Sequence, residues 1–361
     1  MKKLIISILL FSVFSASAET LLIKLKTPIT NKTISRFKGE WKKFDNSKGK
    51  SDYFTTLYYY SRNGKISKQE LVKLKEYKEV LSVEEIIEIS STSIDIPEIT
   101  TKVSNDDLSP YQWGLFFQGQ TVLNELDDLN NVKIIGSKKS DIGFNFKNDR
   151  DHKFKKNPVV AVIDTGVDYR HPDLKTNIAV NEVECEKGEN GAFSIPFLPS
   201  QSNDSNDYKG DCKGWNFTGS KSEGNNRPED SVGHGTHIAG IISAVKDNQI
   251  GLSGISNNIK ILPVKVLSNE GEDAQAIGTS DRLSKAINYA IDMKVDVINL
   301  SLGWPLSFDK DHLREAVMKA IEAGIIVISA AGNNDHSEPI MPCAYEGVIC
   351  VGSNDPDAVS Y

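Results

Sequence analysis

Three residues of this sequence stand where acyl-transfer chemistry needs an acid, a base and an amide donor. Asp164 ends the apolar run Val159-Val160-Ala161-Val162-Ile163 and precedes Thr165-Gly166, so it belongs at the carboxyl end of an expected strand. A carboxylate there can accept the Nδ1 proton of a histidine, fix its tautomer and stabilise the imidazolium formed when the ring takes up a proton. His234 lies in Gly233-His234-Gly235-Thr236-His237-Ile238-Ala239-Gly240, where small residues let a helix start close to neighbouring backbone. Asn333 follows an apolar run in Ala331-Gly332-Asn333. An amide NH2 held there can donate to a developing oxyanion, a contact of roughly 3 to 4 kcal/mol in a transition state. Each residue taken alone has an ordinary alternative. Asp164 reads equally as a helix cap or turn, His234 as a structural residue or half of a metal pair with His237, and Asn333 as a turn residue. No further ligands stand at a spacing that would complete a zinc site with the two histidines.

The elements that must position these residues follow from the hydrophobic pattern. VVAVID, ILPVKVL, VDVINLSL, IIVISAA and VICVGS are short, nearly continuous apolar runs, as expected of parallel strands covered on both faces. Between them Leu283, Ile287 and Ile291 form one helical stripe, and Leu313, Val317, Ala320 and Ile321 another, which Gly324 can terminate. The alternation predicts a doubly wound, mainly parallel α/β sheet. Upstream, Leu21 to about Ser91 reads as strand, helix, strand, helix, strand, a small α+β unit. There Ser67-Lys68-Gln69-Glu70 is a capping box opening a helix that carries Leu71, Leu74 and Val80. Residues 92–110 lose periodicity and read as an exposed linker suited to processing. The segment from Cys185 to Asp230 is a polar insertion rich in Asn, Asp, Gly and Ser.

DTGVDYRHPDL followed by GHGTHIAG resembles the subtilase family of serine peptidases, and the resemblance extends from about Tyr111 onward through QWGL near Gln112, GWNF at Gly214, VINLSLG at Val297 and SAAGN at Ser329. It implies a subtilisin-like fold and a secreted endopeptidase with Asp164 as orienting acid, His234 as general base and Asn333 in the oxyanion hole. It also implies substrate-binding segments at Ser301, Leu302 and Gly303 and at Ala330, Ala331 and Gly332, which would pair with extended peptide or protein substrates by strand addition. Trp304 follows Gly303 where relatives have a smaller residue, a departure bearing on the adjoining subsites. A structural calcium is implied at Asp173 of the HPDL element, with the loop Val245 to Leu252 supplying Asp247 or Asn248. No organic cofactor is implied. The upstream unit is similar to the family's propeptide, an intramolecular inhibitor in relatives. The expected organisation is therefore a signal peptide at 1–18, a propeptide-like domain and linker at 19–105, and a catalytic domain at 106–361.

One part of the family pattern departs. The nucleophilic serine belongs to a Gly-Thr-Ser-Met-Ala type segment after the oxyanion asparagine, and no such segment occurs in the 361 residues. Gly278-Thr279-Ser280 precedes Asn333 and continues as Asp281-Arg282, so Thr279 or Ser280 reads as a helix cap. The expectation is a catalytic domain incomplete at its C-terminus and inactive by itself. The alternative is a catalytically inactive protein that binds peptides through a protease-like groove, or a decayed one.

Composition bounds the setting. Lys and Arg total 42 against 49 Asp and Glu, a net charge of −7, the wrong sign for a nucleic-acid partner. Met1-Lys2-Lys3, the apolar run Leu4 to Phe14 and the triplet Ala16-Ser17-Ala18 have a signal-peptide layout, and the apolar run is well short of the ~20 residues a membrane span needs. The expected location is periplasmic, cell-surface or extracellular, with no membrane span once the signal is removed. Four cysteines in an exported chain favour disulfides. Pairing of Cys185 with Cys212 and Cys343 with Cys350 is expected on proximity, with two other connectivities and free thiols as alternatives.

Overall fold

The computed structural model describes parts of residues 20–91 and most of residues 154–353. The expected signal peptide, linker and QWGL segment lie outside the described residues. The chain divides into two compact units, Met1–Ile86 and Ile87–Tyr361.

In the first unit, β1 (Thr20–Leu25), β2 (Glu40–Lys43), β3 (Leu57–Ser61), α1 (Lys68–Lys75) and β4 (Val80–Glu85) follow one another. The strands form an antiparallel sheet in the order β2-β3-β1-β4, with Leu21 opposite Tyr60 and Ile23 opposite Tyr58. Leu21, Ile23 and Leu25 pack with Tyr58, Tyr60, Leu74 and Val83 in one core. Val80, expected on the helix stripe with Leu71 and Leu74, instead opens β4 opposite Leu25. The helix gives way after Lys75 to a turn in which the Val80 N–H donates to the Tyr77 carbonyl. Pairing with the buried β1 outweighs the weak preference of this short helix to continue.

The second unit opens with β5 (Glu88–Ser91). Next come β6 (Val159–Asp164), β7 (Glu186–Lys187), β8 (Phe193–Ser194), β9 (Trp215–Asn216) and α2 (His234–Ser243). After them the chain forms β10 (Lys260–Lys265), β11 (Ile277–Thr279), α3 (Ser280–Asp292), β12 (Val297–Leu300) and β13 (Leu302–Pro305). It continues through α4 (Asp311–Glu322), β14 (Ile326–Ala330), β15 (Ile340–Met341) and β16 (Ile349–Val351). Six strands form one parallel sheet in the order β16-β14-β12-β6-β10-β9. The doubly wound arrangement follows from that order: from β6 the chain forms β9 and then β10 on one side, and only afterwards β12 on the other. The winding therefore reverses between β6 and β12, where open α/β sheets leave a crevice at the carboxyl ends of their strands.

The apolar runs are buried as two-sided strands must be. Val160 and Val162 pack with Ala239 of α2, Val167, Leu174 and Ile261, whereas Ala161 and Ile163 alternate to the opposite face. The stripes read from the sequence face inward: Leu283 and Ile287 of α3, and Leu313, Val317 and Ala320 of α4, are all at most 1% exposed. The two helices pack on each other, α3 also on β6 and α4 on β14. Gly324, at φ 80°, terminates α4. Cys185 is bonded to Cys212 and Cys343 to Cys350.

Replacing Leu283, which has no exposed surface, with Ala should lower unfolding free energy by about 2–5 kcal/mol. Urea unfolding followed by fluorescence checks this, and a midpoint unchanged from the parent would contradict the packing described.

Candidate active site

Two close approaches of backbone bring the end of β6 to the start of α2. Gly235 lies against Gly166 so tightly that a Cβ on Gly235 would come within 2.1 Å of the Gly166 carbonyl oxygen and 3.1 Å of the Asp164 Cβ. Gly166 has φ 100° and faces the Pro228 carbonyl, a conformation and a gap that only glycine fills without strain. The Gly235 N–H then donates to Thr165 Oγ1 at 2.9 Å. His234 is the first residue of α2 as a result, and its Nδ1 lies 2.7 Å from Asp164 Oδ1. The same carboxylate oxygen accepts the Thr165 N–H at 2.6 Å.

Asp164 is fully buried, whereas the His234 side chain keeps 16% of its surface exposed, so the ring joins a buried charge to the open crevice. No described group bonds its Nε2. The hydrogen bond to Asp164 holds the His234 imidazolium above its ordinary pKa of 6.5, with the Coulomb attraction of Asp164 and Asp230 adding and burial opposing. Such a pair can orient an imidazole, take a proton at Nε2 and stabilise the resulting cation.

Asp230 and Lys265 were not anticipated from the sequence. Asp230 Oδ1 accepts the N–H groups of Val232 and Gly233, and Oδ2 accepts both the N–H and the hydroxyl of Thr236, which anchors the first turn of α2. Thr236 Oγ1 in turn accepts the Asp168 N–H. Lys265 is 5% exposed and donates to the Thr165 carbonyl. Burial lowers its pKa while the charges of Asp230 and Asp164 pull it back up. The lysine is the one charged residue within the apolar run ILPVKVL, a signal that was legible. Asp230 carried none beyond its position ahead of the helix.

The remaining candidates flank the crevice. Ser301, Leu302 and Gly303 leave the end of β12, and β13 pairs antiparallel with β5, Leu302 opposite Ser91 and Gly303 opposite Ser90. On its other edge β5 pairs with β11. Ala330 ends β14, and Ala331, Gly332 and Asn333 follow it, with Asn333 exposed. Ile340 touches both segments: a Cβ on Gly303 or Gly332 would lie 2.6 or 3.2 Å from its side chain. Trp304 is 1% exposed and stacks edge-on with Tyr345. Ser280 is fully buried in the first turn of α3, with Thr279 at the cap position.

Asp173 is 4% exposed and its Oδ1 accepts the Asn248 amide at 2.7 Å. Asp247 is exposed and pairs with Lys246 instead. A different group, Glu184, Asp204 and Asp211, places carboxylate oxygens within 4.8 Å of one another in the insertion after β6. Among the described residues no helix is long and apolar enough to cross a membrane.

The profile of the Subtilase family matches residues 155–360, which hold Asp164, His234 and Asn333 in the family's order. The chain belongs to the subtilase family. The subtilase chain is 35% identical over 196 residues to the thermophilic serine proteinase of Bacillus sp. (strain AK1), covering 54% of this chain and 38% of that one. It is 36% identical over 203 residues to the major intracellular serine protease of Bacillus subtilis (strain 168), covering 55% and 51%. An S41 psychrophilic protease aligns with a TM-score of 0.40 at 26% identity, over 55% of this chain and 53% of that one. The subtilase chain thus spans about half or less of the length of these relatives.

Two outcomes are expected from this geometry. In a pH titration of the His234 ring by NMR, the midpoint lies above 6.5 and falls in Asp164→Asn; a midpoint at or below 6.5 in the parent would refute the pairing. Because the folded pKa is raised, the stability from this contact is full below pH 6.5 and is lost as pH rises through the folded value. Gly235→Ala should destabilise the protein by about 1–3 kcal/mol through overpacking and shift the His234 resonances, as thermal unfolding and NMR would register.

Proposed function

We propose that this subtilase is a secreted serine endopeptidase in which Asp164 and His234 activate a serine hydroxyl, and the observation that carries the reading is the 2.7 Å contact between a fully buried carboxylate and a crevice-facing imidazole. The serine Oγ attacks the peptide carbonyl as its proton passes to His234 Nε2, and Asp164 stabilises the imidazolium. Asn333 donates its amide to the oxyanion. On collapse the imidazolium gives its proton to the leaving amine, and water then hydrolyses the acyl-enzyme by the same base. The attacking serine is the one the family carries after the oxyanion asparagine, which Ser280, before Asn333 and fully buried, does not match.

Substrates are extended peptide segments held by backbone pairing along Ser301 to Gly303 and Ala330 to Gly332. The antiparallel pairing of β5 with β13 and β11 supports this, since an extended segment already lies along that edge. That segment, β5, falls within the stretch 19–105 that acts as a propeptide, and by occupying the substrate edge it inhibits the enzyme. Two disulfides fit an oxidising destination outside the cytosol.

Calcium at Asp173 belongs to the same proposal. The residues fit a hard cation: Asp173 is buried, Asn248 already reaches it, and Gly251 leaves a gap that a Cβ would narrow to 3.0 Å from Asp173 Oδ2. Asp173 and Asn248, rather than Asp247, would hold the ion. Bound there, it would neutralise the buried carboxylate and brace the turn after β6.

A fluorophosphonate probe tests the catalytic reading on the protein as its gene encodes it. Peptide mapping should find the label on one serine after Asn333 in chain order, and His234→Ala should reduce labelling at least about 1,000-fold. Absence of label, or label on Ser280, would overturn the reading in favour of a non-catalytic peptide-binding protein.

A further inference from the structure

The two segments that flank the crevice each carry a glycine, and the space that a side chain on either would need is already taken. Gly303 lies in β13 directly after Ser301 and Leu302, and Gly332 directly precedes Asn333. Glycines on facing walls of a cleft leave a slot in which a substrate side chain can lie. Here a side chain of the protein itself stands in that slot. A Cβ on Gly303 would meet Ile340 Cγ2 at 2.6 Å, and a Cβ on Gly332 would meet both Cγ1 and Cδ1 of Ile340 at 3.2 Å. The two branches of one isoleucine thus reach the two walls.

Ile340 is held there from several directions. It opens β15, which pairs antiparallel with β13, Ile340 opposite Pro305 and Met341 opposite Trp304. Its carbonyl accepts the Ala344 N–H at 3.2 Å. Met341 and Trp304 are buried, and Tyr345 meets Trp304 edge-on, so the strand that carries Ile340 rests on packed aromatic side chains. Cys343, three residues further on, is bonded to Cys350 of β16. Branching at Cβ restricts χ1, and with the backbone fixed the side chain has little freedom to withdraw. It keeps part of its surface exposed, as a group facing an open cleft does.

Asn333 decides which substrate residue meets this slot. The oxyanion forms on the carbonyl under attack, and the side chain nearest to it belongs to the Cα bonded to that carbonyl carbon, on the acyl side of the scissile bond. Gly332 adjoins Asn333, so a substrate whose carbonyl oxygen reaches the asparagine amide sets that side chain against the Gly332 wall. A separate observation agrees on size. On the same edge β5 places Ser90 opposite Gly303 and Ser91 opposite Leu302, and Thr92 and Ser93 follow in sequence, four small residue types in a row.

We propose that Ile340 sets the specificity of the site by filling this slot, so that the protein accepts glycine, alanine or serine on the acyl side of the scissile bond and rejects aromatic and long aliphatic residues. The inference rests on the reading of Ser301 to Gly303 and Ala330 to Gly332 as substrate walls. A methyl group fits above Ile340, whereas a phenyl ring would have to displace a side chain that its own strand holds in place, and overpacking of that kind is resisted. A single methylene that fits or fails to fit an apolar pocket changes kcat/KM by about 10–200-fold, and a phenyl ring exceeds a methyl by several such groups. Trp304 contributes through β15: buried and opposite Met341, it supports the strand rather than the substrate.

The test reads a ratio, on the protein as its gene encodes it, from a pair of internally quenched peptides that differ only in carrying Ala or Phe on the acyl side of the cleaved bond. In the parent, kcat/KM for the alanine peptide should exceed that for the phenylalanine peptide by at least about 100-fold. Ile340→Gly should bring the ratio to about unity or reverse it, and Ile340→Val, which removes only Cδ1 and keeps a β-branched strand former, should lower it by about tenfold. The valine variant decides the matter if the glycine variant fails to fold. The serine reading fails separately: a parent that takes no fluorophosphonate label and cuts neither peptide loses that reading alone, and the same ratio is then read as the affinities of peptides ending in Ala or Phe, by fluorescence anisotropy. A parent that treats the two residues alike or prefers Phe, a ratio unchanged in the folded variants, or a parent that neither cuts nor binds either peptide would each overturn the proposal.

Discussion

The structure of the catalytic unit depends on one close approach, the N-terminus of α2 set against the carboxyl end of β6. A side chain on Gly235 would run into the Gly166 carbonyl, and one on Gly166 into the backbone of Pro228 and Glu229; the approach sets His234 within bonding distance of Asp164. The strand's position is set by burial on both faces, and the helix is anchored by Asp230 and Thr236 and by packing of Ala239 on Val160 and Val162. Catalytic geometry therefore inherits the rigidity of the sheet. A shift of α2 along β6 by even part of an ångström would cost the imidazole its partner, and effective orientation is worth many orders of magnitude in rate.

That approach buries a carboxylate, and the protein compensates locally. Asp164 Oδ1 receives a backbone N–H and the imidazole, its Oδ2 has no hydrogen-bond partner among the described residues, and burial lowers the pKa of Lys265 while Asp230 and Asp164 partly offset that. Lys265 acts as a positioning residue: its bond to the Thr165 carbonyl fixes the turn that presents Asp164.

Much of this was legible before any coordinates. The apolar runs announced two-sided parallel strands, and five of them became strands of one parallel sheet, because a strand covered on both faces cannot hide its period behind polar positions. Asp164 and His234 stood out because glycine and small residues around them carry a steric message as well as a chemical one. What was not legible depends on contacts between distant segments. Val80 matched a helical stripe, and only its partner Leu25, far away in sequence, made it a strand residue. Asp230 looked like any acid in a polar loop. The pairing of β5 with β13 joins segments more than 200 residues apart, and no local pattern encodes it.

The polar insertion is the sharpest instance of the same limit. Its Asn, Asp and Ser content reads as a solvated surface loop, yet Glu184 and Asp211 have almost no exposed surface and Tyr289 reaches them from a helix much later in the chain. The two acidic centres of this unit thus answer the same electrostatic problem differently. At Asp164 positive charge comes from the chain itself, as a histidine and a lysine, and one of those groups must stay free to exchange a proton. At Glu184, Asp204 and Asp211 no charged side chain among the described residues supplies it, and the Cys185–Cys212 bond draws two of the acids together. There the Asn181 and Asn206 amides and the Asn203, Asp204 and Gly210 N–H groups meet the carboxylates instead, so the loop's polar composition is spent on its own buried acids.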